Sequence, residues 1–303
     1  MSVENSTSLF GRVGRYIKDG SNRSRLLLIP VTIFELIFFV VPIMYLIRIS
    51  LYEETSRGAF EAGTWTLSTY GEVITSGYIQ GLMWFTLKFA VISTIVSVVI
   101  GVFYAYAIWR AGQKLRLLLL FGVVLPLLTT LVVKLYAGVL LLSPGGTVNE
   151  VLLSTGLRSE PLQLMNNFFG VLVGQLYITV PYAVLAIYSV MSTMDWKIVE
   201  ASRDLGASRV RSFYEVVLPE IVPGIAVATV ISFAWGVGAY SAPSILGTAR
   251  QTTFAIEVET LMLSDFNWPA AAALSLIMLV VVLVSILVLF RFLNGRGGDA
   301  GYA

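Results

Sequence analysis

Six runs of mostly apolar residues constrain this chain more than any other feature. A bilayer core is crossed by about 20 such residues in a helix. The runs are Leu26 to Leu51, Phe85 to Trp109, Leu115 to Leu142, Phe168 to Met191, Ile221 to Tyr240 and Ala270 to Phe292. The fifth is the shortest and carries Gly224 and Gly236, which membrane helices tolerate because glycine permits close packing. The expectation is an all-α polytopic membrane protein with six transmembrane helices. Composition agrees. The chain is 57% hydrophobic and 13% charged, where a soluble domain runs near half and about a quarter.

Basic residues orient the spans. Fourteen Lys and Arg fall before span one, between spans two and three, between four and five, and at or after the end of span six. Three, Arg57, Arg158 and Arg250, fall in the alternate loops. Lys and Arg concentrate on cytoplasmic loops, so both termini are expected in the cytoplasm. The net charge of +2 is too small to suggest nucleic acid as a partner.

The first 25 residues are polar and basic, and the run that follows is longer than a signal-peptide core. It is read as a retained first span. Within 1–25, Leu9, Phe10, Val13, Tyr16 and Ile17 share one helical face, with Arg12, Arg15 and Lys18 off it. That pattern predicts an interfacial amphipathic helix. Residues 26–294 are expected to form a six-helix membrane domain and 295–303 a cytoplasmic tail. The chain shows no internal repeat and no soluble domain. In the outer loops, "TTFAIEVETLMLSDF" has the pattern of a short helix at the membrane face.

Cysteine and histidine are absent. This excludes disulfides, thiolate metal sites and the commonest general base, and it argues against hydrolytic or redox catalysis.

One polar insert interrupts the apolar pattern on the cytoplasmic side, at 195–219. Thr193 or Asp195 can N-cap a helix through "WKIVEASRDL". Gly206 suits the C′ position that ends it, and Ser208 can cap a second helix, "RVRSFYEVVL". Pro219 falls where the next membrane helix is expected to begin. Mixed small, apolar and charged groups suit docking to a protein better than insertion into lipid.

The order of residues in this insert resembles the EAA signature of permease subunits of ABC importers. Glu200, Ala201 and Ser202 are followed by Asp204 and Gly206, then by Val216, Leu218 and Pro219 at the signature's spacing. Ser202 stands for its second Ala and Val216 for its Ile. The resemblance implies a type I ABC importer permease fold. It also implies that the insert is a coupling helix seated in a groove of an ABC ATPase dimer. Further stretches, "GTVNEVLLSTGLRSEPLQLM", "LYITVPYAVLAIYSVM", "SFAWGVGAYSAPSILGT" and "FNWPAAAALSLIMLVVVL", are similar to the polyamine branch. Branches for iron, sulfate, opines or amino acids share much of them. The polyamine branch implies a second, related permease chain and an extracytoplasmic solute-binding protein. No G-x-x-x-x-G-K-[ST] loop is present, so ATP and Mg are expected on the partner ATPase and no cofactor in this chain.

Ionisable residues inside spans are functional-site candidates, because burying each costs at least about 2.5–3.5 kcal/mol on insertion scales. Glu35 in span one either faces the pathway or bonds a neighbouring helix or the partner permease. Lys88 and Lys134 are expected to snorkel towards the outer interface. By the resemblance, later spans line the path, which singles out Tyr177 and Tyr182 near a break at Pro181, and Phe233, Trp235 and Tyr240. Aromatic faces hold organic cations, although helix packing or an interface belt accounts for the same residues. Glu257, Glu259 and Asp265 are placed outside, to attract cations or meet a binding protein. The competing classes are an ion-coupled secondary transporter, against which the spacing of the insert argues, and a membrane scaffold, against which a pathway-lining pattern of polar groups would count.

Overall fold

A backbone in hydrocarbon has to satisfy its own hydrogen bonds, and helices do so within one segment. A computed structural model describes residues 20–55, 60–61 and 63–297 of the protein. Among these residues it is helical, with no strand and one isolated bridge, Glu53 to Glu61. The expected amphipathic helix at Leu9 to Lys18 lies outside the described residues.

The described residues open with α1 (Gly20–Glu35), a wide turn (Leu36–Val40) and α2 (Val41–Ile49). α3 (Ser68–Thr75) leads into α4 (Gly77–Arg110), then α5 (Gln113–Leu128), α6 (Leu131–Leu142) and α7 (Thr147–Ser154). After α8 (Phe168–Met191), the insert forms α9 (Trp196–Asp204), α10 (Arg209–Ser212), a wide turn (Phe213–Val217) and α11 (Leu218–Glu220). α12 (Val222–Val237), α13 (Ser241–Leu246), α14 (Phe254–Glu259) and α15 (Trp268–Gly297) complete it. Five helical stretches are long and apolar enough to cross a membrane, and a sixth if Arg209–Glu220 and Val222–Val237, bent by 69°, count as one.

Several expectations are corrected. Span two is longer than expected: α4 has 34 residues, about 50 Å at the helical rise, and so projects beyond a bilayer core. The expected third span is split at Thr129 and Thr130 into α5 and α6, with Pro126 in the last turn of α5. Pro181 does not break its span, because α8 runs unbroken through it. Pro219 does not open the membrane helix. That helix starts at Val222 with Pro223 in its first turn, while Pro219 sits in α11. The wide turns at Leu36–Val40 and Phe213–Val217 each stand just before a proline, Pro42 and Pro219. A proline ring clashes with the carbonyl four residues back and lacks an N–H; widening that turn relieves both.

The core is the mutual packing of α4, α8 and α12. Small residues make it possible. A Cβ on Gly236 would lie 2.8 Å from Ala90 Cα and 3.0 Å from Ser93 Oγ. Polar groups in this seam bond each other. Ser97 Oγ is 2.6 Å from Thr179 Oγ1, which donates to the Gln175 carbonyl, and Gln175 Nε2 donates to the Trp235 carbonyl. Lys134 does not snorkel outward; it is 5% exposed, packed within α6 beside buried Leu135.

The loops sort to two ends. At one, the tip of α4 meets the insert, with Trp109 and Trp196 ring centroids 4.9 Å apart. At the other, Tyr78 bonds Glu257, Asn267 bonds Glu54, and the Asn166 amide donates to the Leu246 carbonyl. Arg48 closes the first span at this second end, stacked between Tyr52 and Trp65 at 4.0 and 3.8 Å.

Candidate functional site

The insert is a helical hairpin whose every turn has a chemical cause. Asp195, rather than Thr193, caps α9: its Oδ1 accepts from the Lys197 amide at 3.0 Å. α9 ends in a Schellman motif. The Gly206 amide donates to the Arg203 carbonyl at 2.8 Å and the Ala207 amide to the Ser202 carbonyl at 3.1 Å. Gly206 sits at φ +90°, where an L side chain is strained. Ser208 then caps α10 through the Arg211 amide, and Arg211 pairs with Glu215 at 2.9 Å.

α9 has two unlike faces. Inward, Val199 is 1% exposed and joins Ile187, Met191, Val217 and Ile221 in one core cluster, with Leu218 packed on its edge. Ser202 Oγ bonds the buried Ser212 Oγ at 2.8 Å and ties α9 to α10. Outward, Ile198, Ala201, Asp204 and Gly206 are exposed and Leu205 is 91% exposed. Glu200 is exposed too, and its Oε1 accepts from Trp196 Nε1 at 2.9 Å. Pro219 is exposed at the α11 turn. The inward contacts make the hairpin an extension of the α4, α8 and α12 core, so a force on its outer face is carried into three membrane helices.

The structure does not gather the aromatic candidates into one site. Tyr182 stacks on Trp235 at 5.9 Å between α8 and α12. Phe233 lines a separate apolar groove of about 570 Å³ with Leu87, Thr94, Thr229 and Val284, between α4, α12 and α15. Tyr177 faces a cleft against Tyr104, Gly122 and Pro126 near α5. Tyr240 lies beyond the end of α12, and its hydroxyl donates to Glu259 Oε1 at 2.8 Å. That bond, helped by burial and the nearby charge, holds the phenol above its ordinary pKa, so it stays a donor. Glu35 is exposed on the first span, apart from all of these. Sequence reasoning missed the Ser97, Gln175 and Thr179 seam. Polar residues within apolar runs were the available signal.

The family described as binding-protein-dependent transport system inner membrane component matches residues 97–296. The chain is 29% identical over 272 residues to the spermidine/putrescine transport system permease protein PotB of Haemophilus influenzae, covering 89% of this chain and 94% of that one. To the protein of the same name from Salmonella typhimurium it is 26% identical over 286 residues, covering 93% and 99%. The crystal structure of a bacterial alginate ABC transporter, in complex with its alginate pentasaccharide-bound periplasmic protein, contains a chain of the same fold. It superposes with a TM-score of 0.78 at 19% identity, over 97% of this chain and 99% of that one. The matched stretch takes in α9, the seam and most of the helices that pack on it, so this chain belongs to the family of binding-protein-dependent transport system inner membrane components.

Proposed function

We propose that this chain is one half of the membrane path of an ATP-driven importer for a polyamine, delivered by an extracytoplasmic solute-binding protein. The observation that carries the reading is α9, with its exposed outer face and its inner face built into the core, in a chain similar over most of its length to spermidine/putrescine permeases. Glu200, Ala201, Ser202, Asp204, Gly206, Leu218 and Pro219 form the coupling segment. Its outer face seats in a groove of a separate ABC ATPase dimer, which holds ATP and Mg. Closure of that dimer moves α9, and the core rocks with it. The basic end faces the cytoplasm, by the Lys and Arg bias, in the inner membrane of a bacterial cell.

The second half of the path is a related permease chain. Glu35 supports this. It lies on a span with none of its central window buried, and it has no hydrogen bond or ion pair among the described residues. A carboxylate facing bare lipid costs at least about 2.5–3.5 kcal/mol, which a covering chain with a donor removes. Tyr182 with Trp235 offers stacked rings to a cation passing the α8 and α12 seam, while Phe233, Tyr177 and Tyr240 serve the path only if the partner chain completes it.

The test is uptake by the reconstituted complex with its own binding protein, comparing spermidine, putrescine, an amino acid and sulfate. Polyamine uptake dependent on ATP is expected, reduced by Glu35→Gln together with weaker recovery of the second permease. Sulfate or amino-acid uptake without polyamine uptake overturns the substrate and leaves the importer standing. Uptake without any ATPase subunit overturns the importer.

A further inference from the structure

We propose that the basic end of α4 carries a binding site for an anionic lipid headgroup, formed by Arg110, Arg116 and Arg203 around the Trp109 and Trp196 pair. Three separate elements contribute. Arg110 ends α4, Arg116 lies in the first turn of α5, and Arg203 lies in the last turn of α9. The Arg110 guanidinium stands 5.7 Å from the Trp196 ring and 5.7 Å from the Tyr106 ring, and that of Arg203 stands 5.4 Å from Trp196. Arg116 Nη2 donates to the Trp109 carbonyl at 3.3 Å. One indole, Trp196, thus gathers two guanidinium groups, and the Trp109 carbonyl holds the third, that of Arg116, beside them.

Among the described residues, none of the three has a carboxylate within ion-pair distance. Among the described residues the ion pair found is Arg211 with Glu215. Glu200 bonds the indole edge of Trp196 rather than either guanidinium. Arg203 Nε and Nη2 are buried with no acceptor among the described residues. An indole face attracts a cation but supplies no lone pair along the N–H direction. Arg203 is therefore partly desolvated, and its charge is balanced only by a ring. An anion approaching the open side, where Arg110 is exposed, meets guanidinium groups suited to the bidentate geometry of phosphate.

The setting selects a lipid. Tyr106, Trp109 and Trp196 mark the level at which aromatic side chains sit in a membrane interface. Basic pockets between spans on the cytoplasmic side take anionic headgroups. The other exposed face of α9, with Ala201, Asp204 and Leu205, is left for the ATPase. Placing this end at the cytoplasmic leaflet rests on the orientation proposed above, but the site does not depend on what is transported.

Native mass spectrometry of the full chain with its co-purified partners, supplied with equal phosphatidylglycerol and phosphatidylethanolamine, tests the site. Preferential retention of phosphatidylglycerol is expected. Arg110→Gln and Arg203→Gln are each expected to lower that preference about fivefold, and Lys88→Gln, in the opposite half of the same helix, to leave it unchanged. Arg203→Lys keeps the charge and is expected to lose less than Arg203→Gln. Equal retention of both lipids by the wild type overturns the proposal, as does an unchanged preference in Arg110→Gln and Arg203→Gln. Displacement of the lipid by millimolar inorganic phosphate overturns it in favour of a soluble anion. Loss of the ATPase from Arg203→Gln with lipid preference intact overturns it in favour of a protein carboxylate. No transport is measured, so a wrong substrate leaves each outcome readable.

Discussion

Gly206 shows how much of the polar hairpin depends on one backbone angle. Its φ of +90° lets the Arg203 and Ser202 carbonyls find donors at the end of α9. No atom stands within 4 Å of a Cβ placed there, so a substitution meets no steric wall and its cost is conformational. Gly206→Ala is expected to cost about 1–2 kcal/mol locally and to lower co-purification of the ATPase several-fold while membrane insertion stays normal. Gly206→Asn, which tolerates the left-handed region, is expected to recover part of the loss. Equal ATPase recovery by Ala and Gly would show that the Schellman turn does not set the docking face. The neighbouring cap works in the same way. Asp195 and Ser208 each satisfy an orphan amide, a contribution of about 1 kcal/mol apiece.

Among the elements, the α4, α8 and α12 seam is held by close approach and by bonded polar groups. Lipid tails are as apolar as leucine, so the hydrophobic effect does little to bring membrane helices together and contact distance matters more. At Gly236 the backbone of α12 lies close against Ala90 and Ser93 of α4. Gly236→Val is expected to cost about 1–3 kcal/mol by overpacking, read as a lower melting temperature of the purified protein. Gly81→Val is a control on α4 with open space around the added carbon. A melting temperature for Gly236→Val as high as for Gly81→Val would mean the helices separate without penalty. The seam also ties the insert to the membrane helices: Val199, Val217 and Ile221 are continuous with Ile187 and Met191 of α8.

At the scale of the whole molecule, the expected sidedness is open to direct measurement because the chain has no cysteine. Lys114→Cys at the basic end and Glu54→Cys at the other give single labels without background. In intact cells a membrane-impermeant maleimide is expected to modify Glu54→Cys and to reach Lys114→Cys only after lysis; the reverse pattern would invert the topology and move the ATPase face outside. Much of this architecture was legible in the amino-acid order. Apolar run length decides where helices lie, because hydrocarbon forbids unpaired backbone. The placement of Asp195, Gly206 and Ser208 decides the hairpin, because capping is local chemistry between residues two to four apart. The wide turns before Pro42 and Pro219 have a local cause too, although the run pattern hides them. Contacts between distant segments carry no such periodic signal. That Tyr182 meets Trp235 while Tyr177 turns to α5, that Lys134 is buried, and that Arg110 and Arg203 share one indole all depend on how α4, α8, α9 and α12 pack. The sequence alone determined that the chain is helical, where most of the apolar helices lie and which residues turn the polar hairpin at 195–219. Only the tertiary structure decided which side chains meet, because packing distances in the seam are set by pairs of residues far apart in the chain, such as Gly236 with Ala90.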